Sequence, residues 1–216
     1  MIKTKHGKAY YIFYKVLALS ILKFVLKILF RIEVSGCDNI PKNGKVILCS
    51  NHISYIDPVV IGAFFPRYVY FMGKMELFKN KFLASFFTFF NSFSVNRFAV
   101  DRKAINTAIK VLKDDQILGM FPEGTRSEEG IIKKGKKGMG LISIIGKSPI
   151  LPAAIAGTNK IIQKPHKRIF FPKIRIMFGD LIDTSNILKK HGKKEAVDII
   201  VEKTMNSIKN LYEKIK

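Results

Sequence analysis

Apolar positions along this chain recur with two periods, and from about residue 30 onward the two alternate in a regular way. Short apolar runs at Arg31–Ser35, Val46–Ser50, Tyr68–Met72, Ser92–Val95, Gln116–Met120, Ile150–Ile155 and Lys173–Phe178 predict strands. Stretches of helical period predict helices near 58–65, 75–91, 102–113 and 136–146. A last helix over about 194–214 places Val197, Ile200, Val201, Met205, Ile208, Leu211 and Ile215 on one stripe. Strand–helix alternation of this kind predicts an α/β fold, a single domain with a central, largely parallel sheet flanked by helices. No internal repeat or low-complexity linker interrupts it. The segment Asn159–Lys173 carries five basic residues and a histidine and predicts an exposed hairpin or loop. The aromatic density of FLASFFTFF, Phe82 to Phe90, exceeds what one helix face hides; it reads as core or as a lipid-facing patch or groove.

The first thirty residues have a different pattern. Six lysines precede the first acid, Glu33, and between them runs YYIFYKVLALSILKFVLKILF. At about 100° per residue, Lys15, Lys23 and Lys27 fall within roughly a 120° arc, leaving a broad Leu/Ile/Phe/Val face. The longest uncharged run, Val16 to Leu22, is seven residues, against the roughly 20 that a spanning helix needs. Lysines also interrupt any signal-peptide core, and no small-residue cleavage site follows. The pattern predicts one helix or two short ones lying in a membrane interface, lysines toward the headgroups, with a helix covering a sheet as the alternative. The expected organisation is residues 1–30 as interfacial helices and 31–216 as the main domain.

Composition narrows the partners. The chain has 216 residues, 48% hydrophobic and 25% charged, which suits one globular domain. Its formal net charge of +22 directs it toward polyanions: nucleic acid, an anionic membrane or phosphorylated substrates. No zinc-finger or RNP-type motif accompanies the charge, so nucleic acid is the alternative and not the expectation. Cys37 and Cys49 lack metal-ligand spacing, the histidines number four, and no metal is expected. A reduced cytosolic compartment fits. The expected setting is the cytoplasmic face of a membrane, as a peripheral or monotopic protein.

Two motifs carry chemistry. NHISYIDP, residues 51–58, follows the predicted strand KVILCS. On a continuous helix, the spacing of His52 and Asp57 would hold them about 140° apart, but on a turn leaving a strand they can meet. Asp57-Pro58 is equally a helix-start signal, with Asp as a mere cap. FPEGTRS, residues 121–127, follows the strand QILGM and brings a carboxylate, a flexible turn and a guanidinium to the sheet edge where α/β proteins hold ligands. Arg126 offers a planar fork for phosphate, and Gly124 permits positive φ or close backbone approach. A structural turn with a surface arginine is the plainer reading.

Together the motifs resemble the glycerolipid acyltransferase family, that of bacterial 1-acylglycerol-3-phosphate acyltransferases. His52 and Asp57 match its His-four-residues-Asp motif, and the Phe-Pro-Glu-Gly-Thr-Arg-Ser block matches throughout. The intermediate block appears as Lys74, Glu76, Leu77 and Arg97, and the apolar block around a proline as SPILPAAIAGT, preceded by KKGMGLISIIGKSP. The likeness covers roughly residues 33–158. The chain departs from the family where KNKFLASFFTFFNSF follows Glu76-Leu77, in place of the usual proline and glycines, and at Asn96 before Arg97.

The resemblance implies transfer of a fatty acyl group from acyl-ACP or acyl-CoA to the sn-2 hydroxyl of 1-acylglycerol-3-phosphate, giving phosphatidic acid. It implies that His52 is the general base and Asp57 its orienting partner. Arg126 with the Glu123-Gly124-Thr125 turn would bind the acceptor phosphate, helped by Arg97 and Lys74, with Glu123 ordering these cations. No cofactor is implied beyond the thioester co-substrate; the expected partners are an anionic membrane, lysophosphatidic acid and the carrier thioester. Other acceptors on the same scaffold, glycerol-3-phosphate or a different lysophospholipid, stay open.

Overall fold

The computed structural model describes residues 8–95, 101–127, 130–163 and 168–216. In chain order the elements are α1 (Lys8–Phe30), β1 (Glu33–Ser35), β2 (Val46–Ser50), α2 (Asp57–Phe64), β3 (Val69–Lys74), α3 (Lys81–Phe89), β4 (Phe93–Val95), α4 (Arg102–Lys113) and β5 (Ile117–Met120). Then come α5 (Gly138–Gly146), β6 (Ile150–Ala156), β7 (Ile162–Gln163), β8 (Arg168–Ile169), β9 (Arg175–Phe178), α6 (Thr184–Lys190) and α7 (Lys193–Ile215).

The α/β expectation holds. Seven strands form one sheet in the order β1-β9-β6-β2-β5-β3-β4. All neighbours run parallel except β6 and β9. Central strands are buried on both faces, and their side chains alternate between two cores. Val46 and Leu48 of β2 point into a cluster with Phe30, Val60, Ile61 and Phe64, while Ile47 and Cys49 point into one with Ala108, Leu112, Ile142 and Ile200. Helices α1 and α2 therefore cover one face and α4, α5 and α7 the other. The predicted α7 stripe is the buried one: Val197, Ile200, Ile208, Leu211 and Ile215 are covered, with Val201 and Met205 half-buried against the same core. Helix α4 begins where the Asp101 carboxylate accepts the Ala104 N–H at 2.9 Å, a side-chain N-cap.

Three segments differ from expectation or sharpen it. The single helix predicted over 75–91 is a short 3-10 turn, Met75–Phe78, followed by α3, which restarts with the Ala84 N–H on the Asn80 carbonyl. Helix α6 was not predicted; the Asp183 carboxylate starts it by accepting the Ser185 and Asn186 amides. The basic segment does form a hairpin, with Ile162 paired to Ile169 and Gln163 to Arg168.

Helix α1 runs unbroken to Phe30. Leu19, Leu22 and Leu26 are half-buried and Phe30 is buried, a seam of period 3–4. Val16, Leu17, Ile21, Phe24, Val25, Ile28 and Leu29 are exposed. Among the described residues, no helix is long and apolar enough to cross a membrane.

Candidate active site

Three adjacent parallel strands, β2, β5 and β3, end at the same edge of the sheet. The pairing of Cys49 with Met120 and of Phe71 with Gly119 fixes their register. The chain leaving β2 carries His52, the chain leaving β5 carries residues 121–127, and β3 ends on Lys74. Segments far apart in sequence thus open on one crevice of about 480 Å³. His52, Tyr55, Lys74, Phe87, Phe121, Gly124, Thr125, Arg126 and Lys136 are among the residues lining it. It is the kind of place where open α/β sheets hold ligands.

Asn51 anchors the first motif. Its side chain donates to the Ile155 carbonyl and accepts the Ile155 N–H, both at 2.9 Å, tying the end of β2 to β6. The chain then turns, bringing His52 Nδ1 to 2.9 Å from Asp57 Oδ2. Asp57 stands in the first turn of α2, with Ile56 as the cap residue and Pro58 behind it. Its carboxylate is turned back into the turn and is not a helix cap. Oδ2 also accepts the Ile53 and Ser54 amides at 2.7 Å, and Oδ1 accepts the Thr158 hydroxyl at 2.6 Å. Asp57 is 0% exposed, and four donors surround its charge, which is what a buried carboxylate requires. A carboxylate oxygen accepts, so Nδ1 carries a hydrogen, and in the neutral ring it is Nε2 that has the lone pair. Phe121 stacks on the ring with centroids 4.1 Å apart, leaving His52 7% exposed.

The second motif is bound to the first through the His52 backbone. The His52 N–H donates to Glu123 Oε1 at 3.0 Å, and the His52 carbonyl accepts the Ser127 N–H at 2.7 Å. Glu123 Oε2 accepts the Lys133 N–H at 2.9 Å. Glu123, expected to order the cations of the phosphate site, thus meets two backbone amides. Both carboxylate oxygens are directed at backbone amides, so the side chain joins the turn to His52. Burial pushes the Glu123 carboxyl above the usual carboxylate range, opposed by its hydrogen bonds from Lys133 and His52.

The remaining site residues lie toward solvent. Gly124 has φ +71°, and a Cβ there would stand 2.7 Å from Lys136 Cε, so the lysine stem fills the space a side chain would take. The guanidinium carbon of Arg126 lies 3.4 Å from the centroid of the Tyr55 ring, and the Lys133 ammonium donates to the Arg126 carbonyl at 3.0 Å. The Lys74 ammonium is 3.4 Å from Glu76, both side chains partly exposed. Of the predicted residues, His52, Gly124, Thr125, Arg126 and Lys74 share the crevice, with Asp57 behind His52; Arg97 lies outside the described residues. Sequence reasoning missed Thr158, Tyr55 and Lys136. The AGT ending of the block around Pro152 was a signal for Thr158: Gly157, at φ +94°, turns the chain so that the hydroxyl reaches Asp57. Among the described residues, no cluster of three or more His, Cys, Asp or Glu side chains could hold a metal ion.

The same architecture is found in known proteins. A family profile described as Acyltransferase matches residues 31–156. The 1-acyl-sn-glycerol-3-phosphate acyltransferase of Bacillus subtilis is 29% identical over 196 residues, 90% of this chain and 94% of that protein. The protein of the same description from Borreliella burgdorferi is 28% identical, spanning 84% of this chain and 73% of its own. The crystal structure of the 1-acyl-sn-glycerophosphate (LPA) acyltransferase from Thermotoga maritima aligns with a TM-score of 0.67 at 26% identity, covering 94% of this chain and 87% of that one.

Proposed function

The chain belongs to the acyltransferase family, and on that premise we propose that it acylates the sn-2 hydroxyl of 1-acylglycerol-3-phosphate, giving phosphatidic acid. The observation that carries this reading is the pairing, across one crevice, of a carboxylate-held imidazole with an arginine-bearing turn. Three relatives whose descriptions name that substrate support it.

In this reading His52 and Asp57 act as a hydrolase triad does, with the acceptor's own hydroxyl as nucleophile. Nε2 takes the hydroxyl proton as the oxygen attacks the thioester carbonyl, forming the C–O bond of a tetrahedral intermediate. Collapse breaks the C–S bond, and the imidazolium returns the proton to the departing thiolate. Asp57 keeps the ring in the required tautomer and stabilises the imidazolium. Ester and free thiol are the products, and the step requires no cofactor beyond the thioester itself.

Arg126, Lys74, Lys136 and Arg97, with the Gly124-Thr125 turn, bind the acceptor phosphate through charge-assisted hydrogen bonds. Acyl-ACP and acyl-CoA both suit the basic surface, one donor being an acidic protein and the other a phosphorylated nucleotide. Residues 1–30 form the membrane-binding part of the chain, on the cytoplasmic side: the exposed apolar face of α1 enters the interface while its lysines meet anionic headgroups. Purified protein incubated with lysophosphatidate and either donor tests the reading directly. Formation of phosphatidic acid with one donor or both is expected; transfer only to glycerol-3-phosphate or to larger-headgroup lysophospholipids would replace the proposed acceptor.

A further inference from the structure

We propose that the β7–β8 hairpin is a second membrane-contacting element, which with α1 forms one lipid-facing surface on the edge of the sheet where the crevice opens. The inference deepens the interfacial reading of α1 and rests on it.

Topology supplies the first observation. Strand β6 runs parallel to β2 and ends at the edge that holds His52. The hairpin follows within a few residues of that end, just after Thr158, the residue that holds Asp57. Strand β9 runs antiparallel to β6, and β1 runs parallel to β9, so β1 begins at the same edge. The end of α1 is therefore delivered there too. Contacts join the end of α1 to the segment that leaves β8. The rings of Phe30 and Phe171 have centroids 5.6 Å apart, Arg31 Nη2 donates to the Phe171 carbonyl at 2.7 Å, and the Ile174 N–H donates to the Phe30 carbonyl at 3.0 Å.

The second observation is what the hairpin exposes. Ile162 and Ile169 are cross-strand partners, yet they are 59% and 67% exposed, while Ile161 beside them is buried. Phe170 and Phe171 are exposed as well. Two strands of two residues each offer no inner layer in which to hide such a pair, and water is a poor environment for it. Near the end of α1, which contacts the segment after β8, Ile28 and Leu29 are exposed as well.

The third observation is charge. Lys27 and Arg31 near the end of α1, and Lys160 and Arg168 beside and within the hairpin, are exposed, in a chain of net charge +22; the nearby acid Glu33 is held in ion pairs by Lys173 and Arg175. Exposed aliphatic and aromatic groups ringed by cations complement an anionic bilayer, where the apolar groups reach the acyl boundary and the cations stay at headgroup level. Seated this way, the crevice faces the lipid that supplies its acceptor.

The test is co-sedimentation of the full chain with vesicles of phosphatidylcholine containing phosphatidylglycerol, and with phosphatidylcholine alone. Ile162→Ser/Ile169→Ser should weaken partition onto the anionic vesicles by about tenfold or more, with the melting temperature close to wild type. Ile162→Leu/Ile169→Leu should restore it. Lys160→Glu/Arg168→Glu should weaken binding to anionic vesicles and leave binding to neutral ones little changed. Phe24→Ser/Ile28→Ser on α1 separates the two claims. If that variant loses binding while the hairpin serine variant keeps it, the hairpin proposal is overturned and the interfacial reading of α1 stands. If neither loses binding, both fall. A concentration-dependent dimer that the hairpin serine variant abolishes would instead identify a second copy of the chain as the occupant and overturn the proposal.

Discussion

The two halves of the crevice are built in opposite ways. On one side, His52 and Asp57 are buried, and Asp57 receives four hydrogen bonds from two separate segments of chain, the His52–Ser54 turn and the Thr158 turn. On the other side, Tyr55, Thr125, Lys74 and Lys136 are partly or largely exposed, and Arg126 lies on an open aromatic face. In the proposed reading the buried half transfers a proton, which tolerates little displacement and so suits a geometry over-determined by hydrogen bonds. The proposed acceptor's phosphate carries charge enough to gather mobile cations around it, so a half that binds it can stay open to an entering lipid. Substitutions on the buried side should therefore act on kcat and on stability together, and those on the open side on the acceptor KM.

The largest effect expected is that of His52→Ala, which removes the proposed base: kcat should fall by more than about 10⁴-fold with the fold retained. Turnover near wild type in purified protein would break the division between the halves at once. Next comes Asp57→Asn, whose amide would face four donors with a donor of its own. Its rate loss should approach the roughly 10⁴-fold seen when a serine-hydrolase triad is altered in this way. It should also lose about 1–3 kcal/mol of stability in urea unfolding, from buried polar groups left unpaired.

How far these positions were legible in the sequence follows from the range of the forces involved. Strand and helix periods are local, so β2, β5, β6, α4 and α7 were readable within a residue or two. The meeting of His52 with Asp57 was readable because both lie on one turn. The contact of Thr158 with Asp57 was not, although the AGT ending marks its turn: it spans 101 positions and is set by the pairing of β2 with β6. A carboxylate next to a Gly-Thr-Arg run suggests an ion pair, so the contacts of Glu123 with backbone amides were not legible. The register of β2 against β5 instead delivers it to the His52 amide. The helix expected over 75–91 keeps apolar residues at helical spacing on both sides of Lys79-Asn80-Lys81, and the restart at Asn80 divides it there. The tyrosine three positions after the histidine gave no sign that a guanidinium would lie on it.

Two milder substitutions sharpen the comparison. Thr158→Val keeps shape but removes the donor to Asp57 Oδ1. It should lower kcat severalfold and stability by about 1 kcal/mol, leaving the acceptor KM almost unaltered. A change confined to KM would place Thr158 on the binding side. Tyr55→Ala should do the reverse, raising the acceptor KM about two- to fivefold at near-constant kcat, with Tyr55→Phe close to wild type because the ring face is kept. A phenylalanine variant as impaired as the alanine one would assign the effect to the hydroxyl and not to the stack.

The claim beneath all of this is that one acceptor lipid places its hydroxyl at His52 and its phosphate at Arg126. The direct measurement is kcat/KM for lysophosphatidate and for a phosphate-free monoacylglycerol, in wild type, His52→Ala and Arg126→Ala. The expected result is that Arg126→Ala loses about 10- to 100-fold of the preference for the phosphorylated acceptor, while His52→Ala slows both acceptors alike. A preference left intact in Arg126→Ala would contradict it.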